Sequence, residues 1–299
     1  MIAKPVNKEK GKLTQLTVKK PTPLMQFLIE QLPGKSRTTV KSLLAHRQIS
    51  VGAHAITQFD YPLEPGHMVT INWGVVTEQK RLRGVKILFE DPYVVVIEKE
   101  AGMLSIATAK EKLLTTYSIL SAHVKKEDPT NRIFVLHRLD RDTSGVMMFA
   151  KNEEIQEVMQ KAWQEAVIRR SYIAVVEGVV EKDEDTIRSF LKENKMLFMY
   201  STKVPGEGDE AITHYKVLKR SEEFSLLQVE LETGRKNQIR VHMKELGHPI
   251  AGDKKYGSKV NPLRRTCLHA NLLAFKHPVT GEELTFETPT PHRFLTLFS

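Results

Sequence analysis

The hydrophobic pattern between residues 24 and 72 predicts two short helices followed by a few short strands. The first helix has apolar residues at helical spacing, namely Leu24, Phe27, Leu28 and Leu32. Pro33-Gly34 ends that run, and Ser36 is a typical N-cap for a second helix. The second helix has its apolar face at Val40, Leu43 and Leu44. The segments ISVGAHAI and VTINW are typical of strands, with EPGH as a tight turn between them.

From residue 86 onward the pattern favours strands over helices. Strand-like segments surround Asp91-Pro92 and recur as RSYIAVVEGVV, THYKVLKR, SLLQVELET and ELTFETP. One clear helix is predicted from Asn152 to Ala166, with its apolar side at Ile155, Val158, Met159, Ala162 and Ala166. Runs of strands without regular intervening helices favour an α+β class in which the sheet is mixed and largely antiparallel.

Composition divides the chain into four segments. Residues 1–20 carry many lysines and little hydrophobic periodicity, which predicts a mobile basic tail. Residues 21–74 hold the module of helices and strands described above. Residues 75–85 are basic and irregular and predict a linker, and residues 86–299 form a second, larger domain.

Lysine and arginine outnumber aspartate and glutamate by 45 to 36, which gives a net charge of +9. Such a balance favours a polyanionic partner, most commonly nucleic acid, although many basic proteins bind no polyanion. The single cysteine, Cys267, excludes an intrachain disulfide and a multi-cysteine metal site. No apolar run approaches the roughly 18 residues of a membrane span, and the polar N-terminus lacks a secretory signal. We therefore expect a cytoplasmic protein that makes no membrane contact.

Positive charge is concentrated around the second predicted helix, which carries Lys35, Arg37, Lys41, His46 and Arg47 and no acidic residue. Arg37 and Lys41 lie four residues apart and share one face, where like charges repel by about 0.2–0.5 kcal/mol. Contact with a phosphate backbone would more than offset that repulsion. We therefore predict RNA contacts at Lys35, Arg37, Lys41 and Arg47. The alternative is an ordinary solvated surface helix.

The stretch FVLHRLDRDTSGVMMFAKN is the most informative one for chemistry. A predicted strand at residues 133–136 runs into His137, Arg138 and Asp140, and a polar turn at 141–145 leads into another strand. A carboxylate at such a boundary between strand and loop is well placed to be a preorganised catalytic group. The alternative is an Asx-turn, in which the aspartate only organises the loop.

Other catalytic patterns are missing from the sequence. Ser144 and His137 could belong to a Ser–His–Asp triad, but the chain has no G-x-S-x-G elbow around a serine. The 11 histidines show no H-E-x-x-H or comparable ligand spacing, and no phosphate-binding glycine loop is present. We therefore predict a carboxylate site that uses neither a metal nor a cofactor.

The stretch HRLDRDTSG closely resembles the motif of the RluA-type pseudouridine synthases. Further segments match that family in order, namely RRSYIAVVEG, EAITHYKVL, LETGRKNQIRVHMKELGHPIAGDKKYG and LHANLLAFKHPVTGEELTFETPTPHRF. Residues 22–71 also resemble an S4 RNA-binding domain. The resemblance implies a small S4 RNA-binding module followed by a pseudouridine synthase catalytic domain.

Such enzymes isomerise uridine in RNA, breaking the N1–C1′ bond and joining C1′ to C5. The resemblance implies that Asp140 is the catalytic aspartate, that Arg240 pairs with it and that Tyr172 stacks against the target base. Whether Asp140 attacks the base, attacks the sugar or removes a proton stays open. Arg138 would fill the space left by the flipped nucleotide. The resemblance also implies substrate contacts from His137, Arg235, Gln238 and Ile239.

The expected partner is structured RNA, with large-subunit ribosomal RNA as the first candidate and transfer RNA as the alternative. No cofactor and no obligate protein partner are expected. Two other functions stay open on the residues alone. The chain could be an RNA-binding or assembly protein with an inactive catalytic domain, or a carboxylate-dependent hydrolase that releases free uracil.

Several positions depart from the family pattern. The departures are Arg170 for a usual lysine, Glu100 for a proline after Lys99, Lys236-Asn237 for Thr/Ser-His, and Val51-Gly52-Ala53 for a turn with Asn-Gly. None of these positions is Asp140, Tyr172 or Arg240. We therefore expect the departures to alter loop shape and RNA contacts more than the chemistry.

Overall fold

The computed structural model describes residues 13–45, 48–52, 54–56, 58–72, 81–108, 111 and 113–298. The chain divides into two compact units, Met1–Gln79 and Lys80–Ser299. The longest helices in the described ranges have nine residues, far fewer than the roughly 20 that a bilayer requires.

The first unit consists of two helices and short antiparallel strands. Its helices are α1 (Leu24–Gln31) and α2 (Arg37–Ala45), and its strands are β1 (Leu13–Thr17), β2 (Thr22–Pro23), β3 (Ile49–Val51), β4 (His54–Ala55), β5 (Pro62–Leu63) and β6 (Met68–Asn72). Four strands form a sheet in the order β1-β6-β3-β4, and β2 pairs with β5. The predicted N-cap is confirmed, because Ser36 Oγ accepts a hydrogen bond from the Thr39 amide at 3.1 Å. Both predicted helices are therefore present.

The predicted mobile tail is wrong for part of its length. Residues Leu13–Thr17 form β1, which pairs with β6. Leu16 and Val18 lie two residues apart, as neighbours on one face of an extended chain do, and both contact the core of this unit. The strand is short and is flanked by Lys12, Lys19 and Lys20, so the lysines of residues 1–20 dominate the composition and conceal it. Residues 1–12 lie outside the described part of the chain.

The second unit is built on one large sheet. Its strands are β7 (Arg81–Leu82), β8 (Val85–Glu90), β9 (Val94–Lys99), β10 (Phe134–Val135), β11 (Ser144–Ala150), β12 (Val167–Glu177), β13 (Glu184–Glu193), β14 (Met199–Thr202), β15 (Asp209–Arg220), β16 (Phe224–Leu231), β17 (Leu268–Lys276) and β18 (Glu283–Glu287). Its helices are α3 (Thr116–Val124), α4 (Glu153–Lys161), α5 (Trp163–Ala166), α6 (Gln238–Glu245) and α7 (His292–Leu295). Short 3₁₀ turns lie at Lys254–Tyr256 and Thr296–Phe298.

The strands of this sheet run in the order β14-β13-β15-β16-β12-β17-β11-β9-β8-β7, with β10 paired to β11 and β18 paired to β17. Among the described strand pairs only β11 and β17 are parallel. The predicted mixed and largely antiparallel sheet is therefore confirmed. Arg81–Leu82 pairs with Val85 and Lys86, so residues 81–85 belong to this sheet and not to the predicted linker. Residues 73–80 of that linker segment lie outside the described ranges.

Two helical features differ from the sequence-based expectation. The helix predicted from Asn152 to Ala166 begins as expected, since Asn152 Oδ1 accepts the Ile155 amide at 2.8 Å. It is interrupted at Ala162, which has a φ of −100° and a ψ of 18°, and Val158 on its predicted apolar side is exposed. The sequence pattern also gave no indication of α6, because only eight residues form it and several of its buried side chains are polar.

The parallel pair at the centre of the sheet requires glycine at position 145. Gly145 has a φ of +119°, and a Cβ added there would lie 2.1 Å from the carbonyl oxygen of Ala270 on β17. Because the obstacle is backbone in a buried strand, no rotamer change could relieve that contact. Gly145 is thus the residue that lets β11 approach β17 directly after the turn at 141–143.

We predict that Gly145→Ala lowers the free energy of unfolding by more than about 3 kcal/mol, since steric overlap adds to the cost of a positive φ. Gly281→Ala is the matched control. Gly281 also has a positive φ, of +69°, but an added Cβ meets no atom within 4 Å. The control should lose about 1 kcal/mol. Urea denaturation measures both values, and equal losses would contradict the role given to the close approach.

Candidate active site

The loop that carries Asp140 connects β10 to β11 and is held by side chains from elsewhere. Ser105 is buried, and its Oγ accepts the Leu139 amide at 3.1 Å and donates to the Leu139 carbonyl at 2.6 Å. Both backbone groups of the residue before Asp140 are thereby satisfied by one hydroxyl. The carboxylate therefore projects from a backbone position that is fixed before any substrate binds.

Lys99 is a second constraint on this loop. Its side chain is fully buried at the end of β9, and Nζ donates to the carbonyl oxygens of Glu100, Met103 and Arg141 at 2.8–3.1 Å. Burial and the charge of Arg265 lower the pKa of Lys99 to about 7, whereas Asp142 and Asp140 act in the opposite direction. Because three carbonyls converge on one nitrogen, Lys99 ties the end of β9 to the loop that carries Asp140.

The carboxylate of Asp140 is paired with Arg240 on α6. Arg240 Nη1 donates to Asp140 Oδ2 at 2.9 Å. Its other nitrogens bind Asp253 in bidentate fashion, with Nε to Oδ2 at 2.6 Å and Nη2 to Oδ1 at 2.8 Å. Burial disfavours the charge on Arg240, but the hydrogen bonds and charges of Asp253 and Asp140 outweigh it and raise its pKa. The guanidinium is therefore permanently charged, and the buried Asp253 fixes its orientation.

Tyr172 stands on β12 and lines the same cavity as Asp140. Its ring packs against two buried apolar clusters on the sheet. Burial raises the pKa of the Tyr172 hydroxyl, Arg170 lowers it and Asp140 raises it. The tyrosine is therefore protonated at neutral pH and presents a rigid aromatic surface to the cavity.

Asn237 is a site residue that the sequence analysis treated only as a departure from the family pattern. Its Nδ2 donates to Asp140 Oδ2 at 2.7 Å, so that it touches the carboxylate directly. At Asn237 the departure from the family pattern therefore lies against the Asp140 carboxylate as well as in the loop before α6. The sequence did contain a signal for this contact. Asn237 lies three residues before Arg240, so both side chains stand at the start of one helical segment.

The cavity around these residues has a volume of about 80 Å³. Its lining includes seven of the predicted site residues: Arg138, Asp140, Tyr172, Arg235, Gln238, Ile239 and Arg240. Arg138 and Arg235 are exposed at its rim. Gln238 is held by the protein, because its amide nitrogen donates to the Ile212 carbonyl and its oxygen accepts the Arg235 amide. Ile239 is buried and contributes an apolar wall.

His137 is a predicted substrate contact that the structure does not bring into this cavity. Its Nε2 accepts the backbone amide of Met148 at 3.0 Å, and its ring lies 5.2 Å from that of Trp163. Burial and the nearby Arg170 lower the pKa of His137 to about 3, so the ring is neutral. The side chain of His137 therefore supports β11 and does not face the cavity around Asp140.

A larger cleft of about 610 Å³ shares Leu231 with the cavity around Asp140. Arg169 and Arg170 line it, but so do three carboxylates, Glu210, Glu230 and Glu232. All three carboxylates hold partners, since Glu230 pairs with Arg169, Glu232 with His214 and Glu210 with Arg188. The excess of negative groups disfavours a phosphate there, so the smaller cavity is the better candidate for the chemistry.

The predicted RNA contacts of the first unit are exposed where the structure describes them. Lys35 precedes α2, and Arg37 and Lys41 lie on it, all with solvent-accessible side chains. Arg47 lies outside the described residues. Arg37 and Lys41 on α2 can therefore be reached by phosphate groups.

The arrangement provides a carboxylate of the kind that acts as a nucleophile or as a base. Asp140 has a permanently charged neighbour in Arg240 and an aromatic ring in Tyr172 beside it. Over the described ranges, no three His, Cys, Asp or Glu side chains come together as ligands of a metal ion would. The cavity thus offers one carboxylate, one fixed cation and one stacking surface.

Similarity to known proteins covers most of the chain. A family model described as RNA pseudouridylate synthase matches residues 93–245. An uncharacterized RNA pseudouridine synthase of Bacillus subtilis (strain 168), YlyB, is 36% identical over 276 residues, which cover 89% of each chain. The ribosomal large subunit pseudouridine synthase D of Vibrio cholerae is 32% identical and covers 90% of this chain and 87% of its own.

Among solved structures, human RNA pseudouridylate synthase domain containing 4 has the same fold. It superposes with a TM-score of 0.57 and 24% identity, over 70% of this chain and 90% of its own. The matched family segment contains both Asp140 and Arg240, the two residues whose side chains pair in the cavity. This chain therefore belongs to the RNA pseudouridylate synthase family.

Proposed function

We propose that this pseudouridine synthase modifies specific uridines of large-subunit ribosomal RNA, with Asp140 as its catalytic carboxylate. The observation that carries the proposal is the pairing of Asp140 with Arg240 inside a cavity that Tyr172 also lines. The ribosomal substrate follows the names of relatives, since proteins called ribosomal large subunit pseudouridine synthase D occur among them in Vibrio cholerae and Nitrosomonas europaea.

The chemistry of the reaction fits such a site. Isomerisation breaks the N1–C1′ bond and joins C1′ to C5. The reaction therefore needs no oxidant, no reductant and no group from another molecule. A carboxylate is ionised at neutral pH and supplies either a nucleophile or a base to the nucleotide. Arg240 holds that charge in one orientation, which lowers the cost of reorganisation during the reaction.

The surrounding residues support binding of a flipped nucleotide. A uridine stacked within RNA cannot reach a cavity of about 80 Å³ unless it leaves the stack. Tyr172 would then contact the face of the uracil, and the exposed Arg138 at the rim would occupy the vacated space. Arg235, Gln238 and Ile239 would line the remaining walls, with Arg235 closest to solvent.

The first unit would act as an S4-like RNA-binding module over residues 21–74, extended by β1. Two helices followed by short strands, with exposed Lys35, Arg37 and Lys41, support this assignment. Residues 86–299 with the β7 hairpin would form the catalytic domain. Ribosomal RNA as substrate implies a cytoplasmic location, and transfer RNA is the alternative substrate.

An inactive RNA-binding or assembly protein is the second candidate function. The intact set of Asp140, Tyr172 and Arg240 argues against it, because an inactive member has no need of a paired carboxylate in a cavity. A hydrolase that releases uracil is the third candidate, and product analysis separates it from an isomerase.

Mapping pseudouridines in total RNA tests the proposal most broadly. Carbodiimide modification followed by primer extension is carried out on cells with and without the gene. We expect one or more stops in large-subunit ribosomal RNA to disappear when the gene is absent. Loss of stops only in transfer RNA would favour the alternative substrate, and no loss in any RNA would favour the inactive protein.

We predict that Asp140→Asn abolishes activity, with a rate loss above the roughly 10⁴-fold upper range of a single acid–base group. The amide keeps the shape of the side chain but loses the charge. RNA binding should persist, because phosphate contacts come from other residues. Release of tritium from C5-labelled uridine in transcribed RNA measures the rate, alongside a binding assay and a thermal melt.

Asp142→Asn is the matched control for that experiment. Asp142 lies in the same turn, is exposed and is not part of the cavity lining. It should retain a rate within about tenfold of the unmodified enzyme, a loss of roughly 1.4 kcal/mol or less. If Asp140→Asn stayed active, or if only Asp142→Asn were inactive while folded, the catalytic carboxylate would be misassigned.

We further predict that activity survives exhaustive dialysis against EDTA, on an RNA substrate whose fold needs no divalent ion. One reason is that the isomerisation involves no redox change and no external group. The other is that carboxylates and imidazoles in the described ranges are too scattered to bind a metal ion together. Tritium release before and after dialysis measures this. Loss of activity that one transition metal alone restores would contradict the prediction.

Replacing both Arg37 and Lys41 by alanine should weaken RNA binding and reduce the salt dependence of log K by about one to two units, as fewer counterions are released. The rate at saturating RNA should stay unchanged. The matched control replaces Lys182 and Lys216, which pair with Asp185 and Glu184, and should bind RNA normally. Equal weakening in both double variants would indicate only a loss of net charge.

A further inference from the structure

Tyr256 is a buried tyrosine behind the catalytic carboxylate to which the proposed mechanism gives no role. Its side chain is 1% exposed, and the guanidinium of Arg240 lies 4.7 Å from the centre of its ring. Its hydroxyl lies 3.1 Å from Asn237 Oδ1. Since Asn237 also contacts Asp140, only one side chain separates the tyrosine hydroxyl from the carboxylate.

The direction of these hydrogen bonds is determined at the tyrosine. The Tyr256 hydroxyl is the donor in its hydrogen bond with Asn237 Oδ1. Burial raises the pKa of Tyr256, and the amide of Met199 and the charge of Arg240 act against that rise. The hydroxyl therefore stays protonated at neutral pH and donates to Asn237 Oδ1.

That donation fixes the orientation of the Asn237 amide. An asparagine side chain carries an acceptor on one atom and two donors on the other. With Oδ1 turned to Tyr256, Nδ2 faces Asp140 Oδ2 at 2.7 Å. The flipped amide would set its oxygen against the carboxylate and its nitrogen against the tyrosine proton. The amide oxygen and the carboxylate both lack a proton to donate, and the Tyr256 hydroxyl would lose its acceptor, so the observed orientation is favoured at both ends.

The backbone of Asn237 reinforces this arrangement. Its φ is +54° and its ψ is 21°, a left-handed conformation at the residue before α6. Asparagine adopts that conformation more readily than most residues with a side chain. The amide therefore starts from a fixed Cα position, and Tyr256 determines which of its two ends meets the carboxylate.

We propose that Tyr256 and Asn237 are positioning residues that, together with Arg240, hold Oδ2 of Asp140 and leave Oδ1 to meet the uridine. Over the described residues, the hydrogen bonds to the carboxylate from Asn237 and Arg240 both end on Oδ2. The proposal rests on the proposed role of Asp140. It assigns the hydroxyl of Tyr256 an effect on catalysis that passes entirely through Asn237.

A double-mutant cycle tests that path. Tyr256→Phe removes the hydroxyl and keeps the ring that packs against Arg240 and Phe198. Asn237→Gly removes the amide and keeps a residue suited to a positive φ. The two single variants, the double variant and the unmodified enzyme are compared by tritium release from C5-labelled uridine in RNA. Assays run well below the melting temperature of each variant.

We expect Asn237→Gly to lower kcat by about 10²-fold and Tyr256→Phe to lower it by about tenfold, with KM for the RNA unchanged in both. The double variant should match Asn237→Gly within about twofold, because the hydroxyl has no other route to the carboxylate. A merely structural role would instead lower the melting temperature and leave kcat of the folded fraction unchanged.

Three results would overturn the proposal. These are full activity of folded Tyr256→Phe, a tenfold further loss in the double variant, and a loss that appears only in KM. A crystal structure of Tyr256→Phe with the mapped ribosomal RNA fragment supplies the remaining test, and a uridine in contact with Oδ2 would contradict the assignment of Oδ1. Failure of the proposed function is distinct, since the unmodified enzyme would then release no tritium.

Discussion

The ion pair between Arg240 and Asp140 is the interaction on which the candidate site depends, because it joins positions 100 residues apart in the chain. The guanidinium is shared between the carboxylate of Asp140 and the buried Asp253, so the β10–β11 loop, α6 and the segment before Tyr256 meet at one side chain. Removing it would leave Asp253 as an uncompensated buried charge, at a cost of about 3–5 kcal/mol. Arg240 therefore contributes both to the stability of the fold and to the fixed position of Asp140.

The loop that presents Asp140 is restrained from the opposite side by the rest of the sheet. Ser105 satisfies both backbone groups of Leu139, and Lys99 binds the Arg141 carbonyl. Just beyond, Gly145 brings β11 against β17 in the parallel pair. These contacts come from the end of β9, from the connection to α3 and from β17. A carboxylate held by separate elements loses little freedom when substrate binds, which favours catalysis.

Sequence patterns predicted the parts of the fold in which local signals agree. Ser36 and Asn152 cap the helices that they were expected to begin, and the β-branched run before Lys99 is a buried strand. Prediction failed where tertiary contacts compensate for weak local signals. The strand β1 has only five residues, too few to show periodicity between the lysines that flank it. α6 buries polar residues such as Gln238, whose side-chain amide donates to Ile212 and Thr213 on β15.

The sequence by itself determined the α+β class, through runs of strands without regular intervening helices. Its ordered motifs carried the resemblance to a known family, and that resemblance implied the pairing of Asp140 with Arg240. Only the tertiary structure decided which neighbouring residues reach the carboxylate. His137 turns toward the backbone of β11, whereas Asn237 donates to Asp140. The physical reason is that the direction of a side chain in space decides which groups it can reach with a hydrogen bond. Strand pairing sets that direction for His137, and the left-handed conformation of the residue before α6 sets it for Asn237.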